Sequence, residues 1–156
     1  MPGGILDAGG GTGRVAKALN GLASQIVVAD ISMGMLERAH VGNGFSALNC
    51  HTERLPFAAE SFDRVIMIDA LHHVLDQQGT ANELWRMIKP GGKIVIEEPD
   101  VRRLSVKFVA LFEKLALMRS HFLAPPKIAA LFTDSMARTR IELDGFNAWV
   151  VVEKKM

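Results

Sequence analysis

The fold of this chain is decided by the stretch Ile5-Leu6-Asp7-Ala8-Gly9-Gly10-Gly11-Thr12-Gly13-Arg14. Its apolar start predicts the end of a buried strand, and apolar residues at helical spacing follow Arg14. Between them lie glycines, which lack a Cβ and therefore let a ligand approach the backbone closely. The stretch predicts a strand, a glycine turn and a helix around a ligand site.

The spacing of the glycines does not fit two common nucleotide-binding motifs. A dinucleotide fingerprint requires the pattern G-x-G-x-x-G. Counting from Gly9 puts Arg14 at the third glycine position, and counting from Gly10 puts Thr12 at the second. A phosphate-binding P-loop requires Gly-Lys followed by Ser or Thr, which this stretch lacks. A glycine-rich turn that binds no ligand is the simpler alternative.

The pattern acid-x-Gly-x-Gly-x-Gly, formed by Asp7, Gly9, Gly11 and Gly13, resembles the first motif of class I S-adenosylmethionine (SAM) dependent methyltransferases. The resemblance implies that the backbone of Gly9 and Gly11 contacts the amino-acid part and the ribose of SAM. It also implies that Asp7 helps to place the methionine ammonium, and that Ala8 and Gly13 belong to the same SAM-binding turn.

An acidic residue ends the next predicted strand. Residues 25–31 form a continuous β-branched run, which is typical of a strand buried on both faces of a parallel sheet. Asp30 lies at the end of this run, where ligands of doubly wound folds bind, so we expect its carboxylate to accept hydrogen bonds from a ribose diol. The alternative is a helix cap, but Ser32 is the better cap for a helix predicted over residues 33–40.

Two pairs of residues are expected near the adenine of SAM. Ile31 and Met35 follow the second strand as apolar walls, with a core position as the alternative for Met35. Residues 51–57 resemble the family's G-D-A-x-x-L-P-F segment, with His51 in place of the acid. The resemblance implies adenine recognition by the Thr52 backbone N–H and the His51 ring. A surface histidine at a strand end is the alternative for His51.

Residues 61–69 predict another buried strand, and the Leu-His-His sequence that follows it also resembles the family. The carboxyl end of this strand faces the same crevice, so Asp69 and His72 are expected near SAM and its methyl acceptor. Neutral imidazole is suited to accepting a proton near pH 7, so His72 or His73 is expected to deprotonate or orient the acceptor while the other packs. Adjacent histidines without a third ligand make a poor metal site, and no metal is expected.

The chain then predicts a turn, a strand and a long helix. Residues 90–92 (Pro-Gly-Gly) predict a sharp turn into a strand over residues 93–99, and residues 101–123 predict an apolar helix with several basic residues. Glu97 and Glu98 end the strand at the crevice, where they contact substrate or face solvent. The helix suits a roof over a lipophilic acceptor, a homodimer contact, a peripheral membrane contact or ordinary core packing.

These elements predict an α/β fold with a doubly wound, Rossmann-like, mostly parallel sheet. The resemblance implies seven strands in the order 3-2-1-4-5-7-6 with an antiparallel last strand. An amphipathic helix is predicted over residues 80–89 and a short helix over residues 127–136. A closing hairpin is predicted over residues 139–143 and 148–153 across Asp-Gly.

The length of 156 residues indicates one domain. We expect a SAM-binding core over residues 4–100, substrate-lid helices over about 101–136 and the closing hairpin over about 138–155. This fold normally carries helices ahead of its first strand, and here that strand begins within a few residues of the first Met. The expectation is either a truncated N-terminus or a lid that comes from elsewhere, such as a second subunit.

Composition narrows the class of protein. The net charge of +1 argues against bulk electrostatic binding to nucleic acid. The single cysteine, Cys50, rules out an intramolecular disulfide and fits a reducing compartment. No apolar run reaches the roughly 18 residues of a membrane span. A cytoplasmic location is therefore expected.

The motifs together are most similar to methyltransferases that alkylate ubiquinone and menaquinone precursors. This resemblance implies methyl transfer from SAM, with S-adenosylhomocysteine (SAH) as the product, to a small, lipophilic, quinone-like acceptor. Two alternatives remain from other classes. One is a non-catalytic or truncated SAM- or nucleotide-binding domain, and the other is a Rossmann-type oxidoreductase, which the glycine spacing disfavours.

Overall fold

A seven-stranded β-sheet organises the protein, whose computed structural model describes residues 3–39, 44–103, 106 and 120–156. In chain order the strands are β1 (Gly4–Ala8), β2 (Gln25–Asp30), β3 (Ser46–Asn49), β4 (Phe62–Ile68), β5 (Ile88–Pro99), β6 (Ala137–Asp144) and β7 (Asn147–Lys154). Across the sheet they follow the order β3-β2-β1-β4-β5-β7-β6. The last strand, β7, runs antiparallel to both of its neighbours, while the remaining pairs are parallel. The predicted fold class and strand order are confirmed.

Helices cover both faces of this sheet. The described helical segments are α1 (Arg14–Ala18), α2 (Met33–Arg38), a 3-10 turn (Leu71–His73), α3 (Gln77–Met87) and α4 (Pro125–Ala129). Buried residues of α1 and α2 pack on one face, and buried residues of α3 and α4 pack on the other. This arrangement is the doubly wound fold expected from alternating strands and helices.

The alternation of side chains along the strands explains why both faces are apolar. In β2, Ile26 and Val28 join the core under α1 and α2, whereas Val27 and Ala29 join the core on the opposite face. All four side chains are buried. A strand covered on both faces needs an uninterrupted apolar run rather than alternating polarity, which is the pattern that the sequence has here.

Two helices begin at the side chains that cap them. The Ser32 hydroxyl accepts a hydrogen bond from the Met35 backbone N–H at 3.4 Å, so the predicted Ser32 cap of α2 is confirmed. The Asp76 carboxylate accepts one from the Gly79 N–H at 2.8 Å, and α3 therefore begins three residues before the predicted start. It ends at Met87 because Ile88 is already extended as the first residue of β5.

The helix predicted over residues 101–123 is wrong at both described ends. Residues 101–103 form a turn, in which the Asp100 carboxylate accepts hydrogen bonds from the Arg102 backbone N–H and guanidinium. Residues 120–124 have no regular secondary structure. Ala124 is held extended because it precedes a proline. Apart from Val106, which is helical and buried, residues 104–119 lie outside the described residues.

Three further boundaries differ from the prediction. Residues 90–92 lie inside β5 as an irregularity in its pairing with β4 rather than before the strand. The short helix predicted over residues 127–136 is α4, which begins earlier because two prolines fit its first turn. The hairpin loop consists of Gly145 and Phe146, one residue later than the predicted Asp-Gly joint, with Gly145 at a φ of +58°.

No helix within the described ranges combines the length and the hydropathy that crossing a bilayer would require.

Candidate functional site

A cavity of about 680 Å³ opens at the carboxyl ends of β1, β2 and β4. Open α/β sheets bind ligands at this edge, beside the point where the strand order reverses. The cavity is lined by residues at the carboxyl ends of β2 and β4, by the loops that follow β1, β2, β3 and β4, and by α2. Its lining residues are Gly9, Asp30, Ile31, Ser32, Met35, His51, Thr52, Glu53, Met67, Asp69, Ala70, His73, Val74 and Leu75.

The glycine turn forms the floor of this cavity and accepts no side chains. Gly9, Gly11 and Gly13 all have a positive φ, between 53° and 72°. A Cβ on Gly9 would lie 2.7 Å from the Ala70 Cβ, and one on Gly11 would lie 3.2 Å from the Met35 sulfur. The backbone therefore lies bare beside the cavity, as the spacing of the glycines predicts.

Asp30 connects the glycine turn to α2. One of its carboxylate oxygens accepts a hydrogen bond from the Gly11 N–H at 2.9 Å, and the other accepts one from the Ser32 N–H at 2.7 Å. A carboxylate has about four acceptor positions, so each oxygen retains capacity for a further donor in the cavity. The sequence predicted that Asp30 lies where a ligand binds. It did not predict that the Asp30 carboxylate also holds the glycine turn through the Gly11 N–H.

Asp7 lies under the glycine turn, and its carboxylate does not line the cavity. The side chain is buried, and neither oxygen has a hydrogen-bond partner within the described part of the chain. A Cβ built on Gly10 would lie 2.6 Å from the Asp7 carboxyl carbon. Burial raises the pKa of Asp7 to about 6, against the smaller opposing effects of the Ala16 backbone N–H and of the Arg14 charge. The Asp30 charge contributes to the rise.

The residues that follow β2 and β3 form one wall of the cavity, here called the far wall. This wall contains the residues expected around adenine. Ile31 and Met35 are 61% and 48% exposed, so the alternative of a core position for Met35 is wrong. Thr52 is buried, with its hydroxyl 3.2 Å from the hydroxyl of Thr80. His51 is largely exposed, and its Nδ1 lies 3.8 Å from the Glu53 carboxylate. The sequence analysis missed Glu53, although it lies in the same loop.

The residues that follow β4 form another wall of the cavity, here called the near wall. This wall contains Asp69 and His73. Asp69 has a φ of +53°, a conformation that non-glycine residues seldom adopt, and its N–H donates to the Glu97 carbonyl at 2.9 Å. This backbone bond helps to fix the strained residue at the end of β4. His73 follows in the 3-10 turn and lines the cavity.

The neighbouring His72 is buried away from the cavity lining. Its Nδ1 lies 2.6 Å from a carboxylate oxygen of Glu98, and its ring stacks on Phe122 with centroids 4.3 Å apart. The rings of His72 and His73 also touch, with centroids 4.0 Å apart. The expected division of labour between the histidines thus assigns the cavity to His73 and the packing to His72.

Eight of the residues expected from the sequence share this cavity: Gly9, Asp30, Ile31, Met35, His51, Thr52, Asp69 and His73. Five others lie beneath or beside it: Asp7, Ala8, Gly11, Gly13 and His72. Their roles toward a ligand stay predictions. The sequence analysis missed the apolar lining residues Met67, Ala70, Val74 and Leu75, which flank Asp69 and the histidine pair; their closeness in sequence to those residues was the available signal.

The described residues contain no group of three or more His, Cys, Asp or Glu side chains arranged to hold a metal ion.

Comparisons with known proteins agree with this geometry. A family profile described as "Methyltransferase domain" matches residues 6–96, which include the glycine turn, Asp30, Asp69 and most of β5. The chain is 32% identical over 139 residues to the ubiquinone/menaquinone biosynthesis C-methyltransferase UbiE of Xanthomonas oryzae, covering 82% of this chain and 52% of that protein. It is 38% identical over 98 residues to the demethylmenaquinone methyltransferase of Clavibacter sepedonicus, covering 60% and 40%. The chain thus spans about half the length or less of these relatives.

A solved structure gives the same answer for the fold. The crystal structure of a SAM-dependent methyltransferase from Thermotoga maritima superposes with a TM-score of 0.84 at 20% identity, covering 99% of this chain and 83% of that one. The family match extends over the strands that form the cavity, and the sheet order is the one that the glycine motif implied. On this evidence the chain belongs to the class I SAM-dependent methyltransferase family.

Proposed function

We propose that the protein binds SAM in the cavity at the carboxyl ends of β1, β2 and β4 and transfers its methyl group to a small lipophilic acceptor. The observation that carries this proposal is the pairing of Asp30 with the glycine turn. One carboxylate touches both a bare backbone segment and the cavity, with acceptor capacity left on each oxygen. A ribose diol is the donor group that fits such a carboxylate.

The described residues fit each part of SAM. Asp30 would accept from the ribose hydroxyls, and the backbone of Gly9 and Gly11 leaves room for the ribose and the amino-acid part. The carboxylate of Asp7 is buried and has no hydrogen-bond partner within the described ranges, so it is suited to a nearby cation. This supports its expected role toward the methionine ammonium. Adenine would lie against the far wall, in contact with the exposed side chains of Ile31 and Met35 and near the loop of His51 and Thr52.

Bound SAM supplies an electrophilic methyl group, so the residues of the chain mainly have to align the acceptor and exclude water. Asp69 and His73 would do this from the near wall. A neutral His73 ring can accept a proton from a hydroxyl group of the acceptor near pH 7. His72 does not line the cavity and would act on the acceptor only through His73.

The acceptor we propose is a hydroquinone with a short apolar substituent. The relatives named for ubiquinone, menaquinone and demethylmenaquinone support this class. Apolar side chains beside the near wall, those of Met67, Val74 and Leu75, support a lipophilic molecule as well.

The division into a core, lid helices over about 101–136 and a hairpin remains part of the proposal, as do the cytoplasmic location and the membrane and homodimer contacts of residues 101–123.

Cofactor binding is tested by thermal shift with SAM, SAH and NAD on the wild type and on Asp30→Ala. A ligand that binds only the folded state raises Tm by an amount that grows with the logarithm of its concentration over Kd. We expect SAM and SAH to raise Tm, NAD to have no effect, and Asp30→Ala to weaken SAH binding about 30-fold or more, because bonds to a charged carboxylate are lost. The matched control Asp63→Asn removes a carboxylate at the opposite end of the sheet and should keep wild-type SAH affinity. An equal response to NAD would contradict the proposal.

Turnover is tested with methyl-labelled SAM and a reduced demethylmenaquinone carrying a short prenyl group. Label in the naphthoquinol fraction, lost on omission of the quinol, is the expected result. SAH binding without label transfer to this quinol or to other small phenols would instead favour the alternative of a non-catalytic binding domain.

A further inference from the structure

Glu98 lies at the carboxyl end of β5, and its carboxylate binds three donors of a single turn. One oxygen accepts from the backbone N–H groups of Ala70 and Leu71, at 3.1 and 2.7 Å. The other lies 2.6 Å from Nδ1 of His72. The side chain is only 4% exposed, so these bonds are largely shielded from water.

This turn carries the near wall of the cavity. His73 is the residue after the last donor, and its ring touches the ring of His72. His72 is held on its other side by Phe122, and its carbonyl accepts a hydrogen bond from the His121 N–H at 2.7 Å. A continuous chain of contacts therefore runs from Glu98 through His72 to His73, which lines the cavity.

We propose that Glu98 is a positioning residue for methyl transfer, which holds the turn of residues 70–73 so that His73 faces the acceptor beside Asp69. A buried carboxylate is an expensive way to fill space, since an apolar side chain of similar volume often stabilises a fold equally well or better. What the carboxylate adds is direction, because its three hydrogen bonds fix both the backbone of the turn and the ring plane of His72. This inference rests on the proposed function of the cavity.

The kinetic test compares Glu98→Gln and Glu98→Ala with Asp63→Asn, using methyl-labelled SAM and the reduced short-chain demethylmenaquinone. Glu98→Gln retains one carbonyl oxygen for the backbone donors and places an amide N–H, which cannot accept a hydrogen bond, opposite Nδ1 of His72. We expect kcat to fall about tenfold or more in both Glu98 variants, because misplaced groups lose much of their effect. The KM for SAM and the Kd for SAH should stay within about twofold, since the hydrogen bonds of Glu98 go to residues 70–72 and those of Asp30 to Gly11 and Ser32. Equal losses in kcat and in SAH affinity would overturn the proposal in favour of a general structural role.

A second readout needs no turnover and separates this inference from the proposed function. In the SAH-bound protein, ring contact with His72 should displace the NMR signals of the His73 ring protons from their random-coil positions. We expect them to return toward those positions in Glu98→Gln and Glu98→Ala and to stay in place in Asp63→Asn. Unchanged His73 signals in both Glu98 variants would overturn the inference even if the wild type is active. A wild type that binds SAH but does not methylate the quinol would refute the acceptor and leave this readout decisive for Glu98. If Glu98→Ala does not fold, Glu98→Gln decides.

Discussion

Two aspartates on neighbouring strands, at opposite ends of the sheet, have opposite surroundings. Asp63 lies at the amino end of β4, where its carboxylate accepts from the Gly4 N–H and from Lys89 Nζ, both at 2.9 Å. The bond from Lys89 lowers its pKa. Asp7 lies at the carboxyl end of β1, buried and without a described partner, and burial raises its pKa to about 6.

The difference separates a part of the molecule that serves the fold from the part in which we propose that a ligand binds. At the amino end the Asp63 carboxylate is paired with two donors of the chain itself. At the carboxyl end the Asp7 carboxylate has no hydrogen-bond partner among the described residues, at a cost in stability that a protein normally avoids. Such a cost is understandable where a ligand supplies the missing partner, which is the role that the family resemblance implies for Asp7.

The glycines sharpen this comparison most strongly. Gly9 follows the carboxyl end of β1, and Gly21 lies in the connection that leads from α1 to the amino end of β2. Both have a positive φ, but of the two only Gly9 has an atom close to where a Cβ would lie. We expect Gly9→Ala to lower the free energy of unfolding by about 2–4 kcal/mol, from backbone strain and from collision with the Ala70 methyl. Gly21→Ala should lower it by about 1 kcal/mol, from strain alone. Urea denaturation of the two variants gives the values.

Gly9→Ala should also abolish the SAH-induced rise in Tm, while Gly21→Ala should retain it. Equal destabilisation by the two variants would mean that the glycine turn is not closely packed against the residues after β4. The contrast between the two ends of the sheet would then lose its steric part.

Asp7→Asn tests the electrostatic part. Because the folded-state pKa of Asp7 is raised from 3.8 to about 6, the folded protein binds the proton more tightly, and stability falls as pH rises through this window. Removing the charge should therefore stabilise the ligand-free protein by about 1–3 kcal/mol at pH 8 and change little at pH 4. SAH affinity should fall in the same variant. Urea denaturation at the two pH values, with SAH titration at pH 8, provides the measurement.

Destabilisation by Asp7→Asn at pH 8 would show that the carboxylate has a partner in the ligand-free protein. The contrast with Asp63 would then be absent.

Asp63→Asn is expected to have the smallest effect, and of opposite sign. Its pKa is lowered, so its contribution to stability is present above the unfolded-state pKa and disappears as pH falls through the folded value. The variant should be only slightly less stable than the wild type at pH 7, because the exposed ion pair with Lys89 is screened by water. Near pH 2 the two proteins should be equally stable, because Asp63 is then protonated. A stabilised Asp63→Asn at pH 7 would contradict the comparison.

The sequence was informative where local chemistry is sufficient. The glycine turn, the buried run of β2 and the Ser32 cap each depend on neighbours within a few residues, and they were predicted correctly. The helix predicted over residues 101–123 failed at both described ends. Its apolar periodicity did not register the Asp100 turn or the extended residue before Pro125. Periodicity reports which face is apolar but is weak at locating ends, where single side chains decide.

The site shows the same division. The acid at the end of β2 was predicted from strand order alone, since parallel strands bring their carboxyl ends to one edge. Which of the two adjacent histidines faces the cavity was left open, because that depends on Glu98, 26 residues from His72 in the chain. The second task of Asp30, holding the Gly11 N–H, depended likewise on a contact 19 residues away.

By itself the sequence determined the class of fold, the glycine turn and the strand ends that border the cavity, because these follow from steric permissiveness, apolar runs and topology. Only the tertiary structure decided that Asp7 is buried without a described partner, that Asp69 is strained and that Glu98 binds His72. Burial, strain and long-range hydrogen bonds arise when distant segments exclude water from one another. A linear pattern of residue types does not contain that information.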